Sequence, residues 1–299
     1  ENEMQSALGL LCLAVVAAQI APDLDPTIWC KSERGGTVRC DNHEEPVNLL
    51  DDLGTYYGTD KATSDNGYTV LYDPIFAHRR QERLNFLEIG CFRGASALMW
   101  ADYFPNANIT CIDAHPESLE VRNVNPRINA IIANQGSEDD LRRVEAETGP
   151  LDIIIDDGSH LSDHMQLSFK TLFPGLKLGG VYIIEDLSTQ NNRQYKGSGC
   201  NKPNALKFVL GLMNFVMMRS NCHYPTHPWE EYIKDIQLFG GSGMAVVHKG
   251  VWTNLEGSGN SEVWRPGKPV PHVNEEDDND YLVGGHDGQF MAWGAINRD

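Results

Sequence analysis

The sequence predicts an α/β fold: a mostly parallel seven-stranded sheet with helices on both faces and a terminal β-hairpin. Two observations carry this. From residue 84 onward, short apolar runs alternate with helical stretches, the pattern of parallel strands buried on both faces. Two further apolar runs are joined by Gly240-Gly241-Ser242-Gly243, a hairpin connection.

A helix starts near Pro46, and Tyr56 to Lys61 (YYGTDK) forms a Gly-containing turn. Leu71, Tyr72, Ile75 and Phe76 have the spacing of an amphipathic helix within residues 68–80. Residues 84–89 read as the first buried strand, 90–94 as a glycine-bounded loop and 95–103 as a helix. Strands follow at 109–112, 130–133, 151–155 and 181–184, with a charged helix over 139–147 that Gly149-Pro150 ends. Residues 188–202 are irregular, 204–218 helical, and 233–239 with 244–248 complete the hairpin. The chain divides into an apolar N-terminal segment and extension (1–45), a central domain (46–250) and an irregular acidic tail (251–299).

A chain of 299 residues that is 41% hydrophobic and 22% charged can build a sizeable core. Its net charge of −18 repels phosphate backbones, which excludes nucleic acid as the main partner. The acidic run Glu275 to Asp280 reads as solvated tail, and Trp252, Trp264 and Trp293 as residues packed on the domain. The Met213, Phe215, Met217, Met218 cluster reads as core. No zinc spacing links the seven cysteines. Packing accounts for Cys91 and Cys111, while Cys30 and Cys40, either side of Gly35-Gly36, suit a disulfide in an oxidising compartment. The sequon at Asn108 opens a strand and carries little weight.

Residues 7–21 form an uncharged apolar run, shorter than the ~20 residues that span a bilayer. Three readings stay open: a secretory or organellar signal, a membrane anchor, and a buried helix at a subunit contact. This leans toward a secretory, organellar or membrane-associated location, with a cytoplasmic one still open.

Two constellations carry chemistry. In the first, Glu88 ends a strand, and Gly90 and Gly94 bound the turn that opens a helix, where the missing Cβ lets backbone approach a ligand. Asp113 ends the second strand, where a carboxylate can accept both hydroxyls of a ribose. Asn134 and Gln135 follow the third, in position to read an adenine edge. The G-x-x-x-G spacing differs from the dinucleotide pattern of an NAD-dependent oxidoreductase. In the second, Asp157 and His160 follow the fourth strand, and Glu185 and Asp186 end the fifth. Converging carboxylates suit a hard cation such as Mg²⁺. A hydroxyl bound there loses its proton more easily, and His160 is placed to take it. The competing reading makes Asp156-Asp157-Gly158 a turn, His160 a helix cap and Glu185-Asp186 solvent-facing. His160 and His164 also have a zinc-compatible spacing, without the partners zinc requires.

The strings YGTDK, LEIGCFRG, IDDGSH and GGVYIIEDL, over residues 51–249, resemble class I S-adenosylmethionine-dependent methyltransferases, a Rossmann-like fold. More particularly they resemble the macrolide-sugar O-methyltransferases of the mycinamicin and tylosin pathways. The resemblance implies S-adenosylmethionine as donor, near Gly90, Gly94, Asp113 and Gln135. It also implies Mg²⁺ held by Asp157, Glu185 and Asp186, with His160 as base. Asn134 stands where Asp is expected. The implied reaction is methylation of a hydroxyl, one of a vicinal diol included, on a small-molecule or sugar acceptor. The alternative is a catalytically inactive subunit of a larger assembly, which a crevice filled by its own side chains would support.

Overall fold

The computed structural model describes residues 29–31, 37–39, 48–192, 195, 203–218, 225 and 227–251. The apolar segment 7–21, Cys40, the tail tryptophans and the acidic run lie outside the described residues. No helix among the described residues is long and apolar enough to cross a membrane.

Strands β1 (Trp29–Lys31) and β2 (Thr37–Arg39) pair antiparallel as a small separate sheet. Helix α1 (Leu49–Tyr57) starts at Asn48, whose side chain accepts from the Asp51 amide, and ends at Gly58 in the left-handed conformation. Helix α2 (Thr69–Phe76) follows. Then come β3 (Asn85–Ile89), α3 (Ala95–Tyr103), β4 (Asn108–Asp113), the short α4 (Val121–Val124), β5 (Ile128–Ile132) and α5 (Glu138–Thr148). The chain continues through β6 (Ile153–Asp156), α6 (Ser162–Leu172), β7 (Val181–Ile184), α7 (Ala205–Met218), β8 (Ile233–Phe239) and β9 (Met244–Lys249).

The main sheet has seven strands in the order β5-β4-β3-β6-β7-β9-β8, parallel except where β9 meets β7 and β8. This is the predicted architecture. The reversal of strand order between β3 and β6 opens a crevice at the strands' carboxyl ends, where such sheets bind ligands. Helix α6, whose weak apolar pattern follows Ser159 and Ser162, is additional to the elements read from sequence. In α7, Phe215 is buried, whereas Met217 is 76% exposed and Met218 40%, so half of that cluster is surface rather than core.

Side chains alternate across each strand, and the alternation places the chemistry. Phe86, Ile153, Ile155 and Ile183 pack on one face with Tyr72, Phe76, Trp100 and Phe104. Leu87, Ile89, Ile154, Tyr182 and Ile184 pack on the other with Leu141, Phe169 and Phe173. Glu88, flanked by Leu87 and Ile89, therefore points with Phe86 toward α3. There it accepts from Ser96 Oγ at 2.9 Å and from Trp100 Nε1 at 3.1 Å. Asp156 points to the opposite face and accepts from Gln135 Nε2 and Ser168 Oγ, each at 2.5 Å.

Burial pushes the Glu88 carboxyl up to about 7 from 4.5, with Lys61, Ser96 and Trp100 only partly opposing it. Because the folded value is raised, the stability this group contributes is complete below about pH 4.5 and is lost as pH rises through about 7. Glu88→Gln removes the cost of ionisation. We expect it to gain roughly 3 kcal/mol over the native chain at pH 8 and almost nothing at pH 4. Urea melts at the two pH values check this, and equal stability differences at both would contradict it.

Candidate active site

The crevice is an open cavity of about 570 Å³, lined from the β3 loop by Gly90, Phe92 and Arg93, from β4 by Asp113, and from β5 by Asn134 and Gln135. Asp157, Ser159 and His160 line it from the loop after β6, His164 from the first turn of α6, and Asp186 from just beyond β7. Seven of the ten residues singled out in the sequence thus share one cavity. Glu88, Gly94 and Glu185 stand behind its wall.

The glycines act differently from the expectation. A Cβ on Gly90 (φ +97°) would strike the Asp157 carbonyl, and one on Gly94 (φ +83°) would strike the Val121 side chain. Their first role is to let the chain pack against itself, with Gly90 alone also facing the cavity. Cys91, in the same loop, is disulfide-bonded to Cys111 of β4, their Cα atoms 5.5 Å apart. Packing alone therefore does not describe this pair. The parallel register of β3 and β4, with Glu88 opposite Cys111, brings the loop alongside.

Asp113 is held at both oxygens: Oδ2 accepts from the Phe92 amide and Oδ1 from the His115 amide, each at 2.8 Å. The carboxylate is fixed facing the cavity, with lone pairs left for a diol. Gln135 is more committed. Its Nε2 donates to Asp156, and its Oε1 accepts from the Ser159 amide at 2.9 Å and Ser159 Oγ at 3.0 Å. It clamps the loops after β5 and β6 together. Asn134 Oδ1 accepts from the Gly136 amide at 2.9 Å.

At the other end of the cavity, parallel pairing of β6 and β7 sets Asp157 beside Glu185, whose amide donates to the Asp156 carbonyl at 3.0 Å. Between the two carboxylates lies Lys61, a residue the sequence reading left in a turn. Its Nζ lies 3.0 and 2.8 Å from the two Glu185 oxygens and also donates to Asp157 Oδ2. Tyr72 donates to Glu185 Oε1. Glu185 is thereby buried, partnered at both oxygens and turned from the cavity. Burial raises the Asp157 and Glu185 carboxyls, against the pull of Lys61. Burial also works against the Lys61 charge, but Asp157 and Glu185 outweigh it and hold that group above the ordinary lysine value. The only hint in the sequence was that Lys61 ends the YGTDK string.

His160 and Asp186 both adopt φ +56°, a left-handed conformation uncommon outside glycine. This brings His160 Nε2 within 3.6 Å of Asp186 Oδ2. Tyr68, which precedes α2, has its hydroxyl 2.8 Å from Asp186 Oδ1 and also accepts from the Asp186 amide at 3.2 Å. Asp157, His160 and Asp186 offer donor atoms all within 4.8 Å of one another. His160 Nδ1 is buried and has no hydrogen-bond partner among the described residues. An oxygen-rich cluster with an unsatisfied imidazole nitrogen fits a divalent cation. His164 is not in this cluster; its Nδ1 lies 2.8 Å from Ser159 Oγ, so the zinc-compatible spacing is not used.

Residues 87–187 match the family model described as a methyltransferase domain. The fold matches too: the solved structure of the MycE methyltransferase from the mycinamycin biosynthetic pathway, in complex with Mg and SAH, superposes with a TM-score of 0.60. It is 28% identical, over 71% of this chain and 55% of that one. The chain has the fold of the class I methyltransferases. It is 40% identical over 157 residues to the 8-demethyl-8-(2-methoxy-alpha-L-rhamnosyl)-tetracenomycin-C 3'-O-methyltransferase of Streptomyces olivaceus, covering 49% of this chain and 38% of the relative. With the L-olivosyl-oleandolide 3-O-methyltransferase of Streptomyces antibioticus it shares 36% over 190 residues, 60% of this chain and 47% of that enzyme. The chain spans less than half the length of these curated relatives.

Gly90→Ala should destabilise the domain by roughly 2–5 kcal/mol, since the new methyl group meets backbone at a positive φ. Asp113→Ala should leave stability nearly unchanged yet weaken S-adenosylhomocysteine binding at least about tenfold, the loss of a bidentate acceptor. Calorimetric titration beside thermal melts separates the two effects. Undiminished binding by Asp113→Ala would remove Asp113 from the donor site.

Proposed function

We propose that this chain is an S-adenosylmethionine-dependent O-methyltransferase acting on a hydroxyl of a small-molecule or sugar acceptor, with a divalent cation and His160 as base. One observation carries the reading: the same cavity holds a fixed diol-accepting carboxylate at Asp113 and, at its other end, the cation-ready carboxylates Asp157 and Asp186 with His160 beside them. The relatives' names point to glycosylated polyketides, and a deoxysugar hydroxyl is the acceptor class we favour.

The donor supplies an electrophilic methyl group on a sulfonium, and Mg²⁺ makes an adjacent hydroxyl more acidic. The protein's part is to align and to move a proton. Asp113 fixes the donor's ribose, with Asn134 and Gln135 at its adenine end and Gly90 beside its chain. Asp157 and Asp186 face the cavity and hold the cation; Glu185, on the next ring outward, keeps Lys61 and Tyr72 in place. His160, fixed against Tyr195 at 5.4 Å between ring centres, takes the hydroxyl proton as the oxygen–carbon bond forms and the carbon–sulfur bond breaks. A catalytically silent subunit finds no support in the open crevice or in the relatives.

A chelator should abolish transfer to a deoxysugar acceptor and Mg²⁺ should restore it. Asp157→Ala and Asp186→Ala should each lose cation and turnover while retaining S-adenosylhomocysteine binding. His160→Ala should keep the donor and lose roughly 10²–10⁴ in rate. Full activity in the chelator with His160→Ala still impaired would leave a base-assisted, metal-free transferase. Unimpaired transfer by both His160→Ala and Asp186→Ala would remove this site from the chemistry.

A further inference from the structure

Lys61 is unusual among the charged groups of this domain. It is 1% exposed, lies between two carboxylates of different strands, and comes from the loop between α1 and α2 rather than from the sheet. Its backbone is tied down, since the Lys61 carbonyl accepts from the Thr69 amide at 3.0 Å. Its ammonium lies 6.0 Å from the centre of the Tyr68 ring, and the Tyr68 hydroxyl meets Asp186. Lys61 therefore touches two of the three carboxylates from which a cation site would be made and is connected to the third, Asp186, through Tyr68.

We infer that Lys61 is the positioning residue of the cation site, a built-in cation that holds Asp157 and Glu185 in place before any metal arrives and weakens the metal's hold once it does. This rests on the cation reading proposed above. Asp157, Glu185 and Asp186 bring three negative charges and Lys61 returns one positive. Without Lys61 the carboxylates on adjacent strands would repel and swing apart. With it, a fixed positive charge stands beside Asp157, so an incoming divalent ion meets both an attraction and a repulsion at close range. Lys61 also occupies the Glu185 oxygens, which become free for an ion only if that pair opens. The result is a preassembled site that binds Mg²⁺ weakly and exchanges it readily.

The test is Mn²⁺ binding to the metal-free full chain, measured by electron paramagnetic resonance, with circular dichroism melts to establish that each variant is folded. Lys61→Met should bind Mn²⁺ at least about tenfold more tightly than the native chain, and Mn²⁺ should raise its melting temperature by more. Since Lys61→Met leaves a buried unpaired carboxylate, Glu185→Gln and the double variant Lys61→Met/Glu185→Gln form a second pair with that charge removed, which carries the test should the single variant fail to fold without metal. There too, loss of Lys61 should tighten Mn²⁺ binding about tenfold. Equal or weaker binding without Lys61 in both backgrounds would overturn the inference. If the native chain binds Mn²⁺ and needs it for turnover while the Lys61 variants bind no tighter, the cation reading stands and this inference falls. If the native chain binds none and Lys61→Met does, Lys61 is the site's own cation and the metal-dependent reading falls.

Discussion

Two carboxylates at the ends of neighbouring parallel strands repel each other unless a cation lies between them, and in this domain Lys61 is that cation. Removing one partner of such a buried pair typically costs about 3–5 kcal/mol, because the remaining charge has no compensation. The helices before the sheet are consequently part of the site and not a decoration on it. Gly58 ends α1 in a left-handed turn, the chain doubles back, and Lys61 enters between β6 and β7 while Tyr68 and Tyr72 close over it. Tyr72 also packs against Phe76 and Trp100, so the ion pair is joined to the largest aromatic cluster of the core.

The cavity is rigid for local reasons. Gly90 and Gly94 admit the Asp157 carbonyl and Val121 so closely that no other residue fits without movement. The Cys91–Cys111 disulfide holds the same loop to β4. His160 and Asp186 keep a conformation that costs of order 1–3 kcal/mol for a non-glycine residue. Such strain persists where surroundings impose it, and here the strain turns two side chains toward each other at the cavity floor. A site that must align a donor carbon with an acceptor oxygen gains from this stiffness, since small misplacements of reacting atoms are costly in rate.

The strand alternation that buries the core also sorts the acids. Glu88 and Glu185 point to the face carrying α2 and α3, the first met by Ser96 and Trp100 and the second by Lys61 and Tyr72; Asp156 points to the opposite face and is satisfied by Gln135, Ser168 and Tyr182. Asp113, the last residue of β4, Asp157, the first after β6, and Asp186, the second after β7, line the cavity. After β6 and β7 the step from a structural to a cavity-facing carboxylate is one residue, from Asp156 to Asp157 and from Glu185 to Asp186.

By itself the sequence determined the sheet, the order of its parallel strands and hairpin, and the crevice to which Asp113, Asp157, His160 and Asp186 belong. Apolar runs of strand length and glycine-bounded turns are local signals, and the right-handed connection of parallel strands fixes where their ends gather. Only the tertiary structure decided which of the acids faces the cavity, because that depends on the register and on where each strand ends. It alone placed Lys61, 124 positions before its partner Glu185, and joined Cys91 to Cys111. A buried ion pair across that separation leaves no periodic trace in the chain; the contact exists only once the helices have packed.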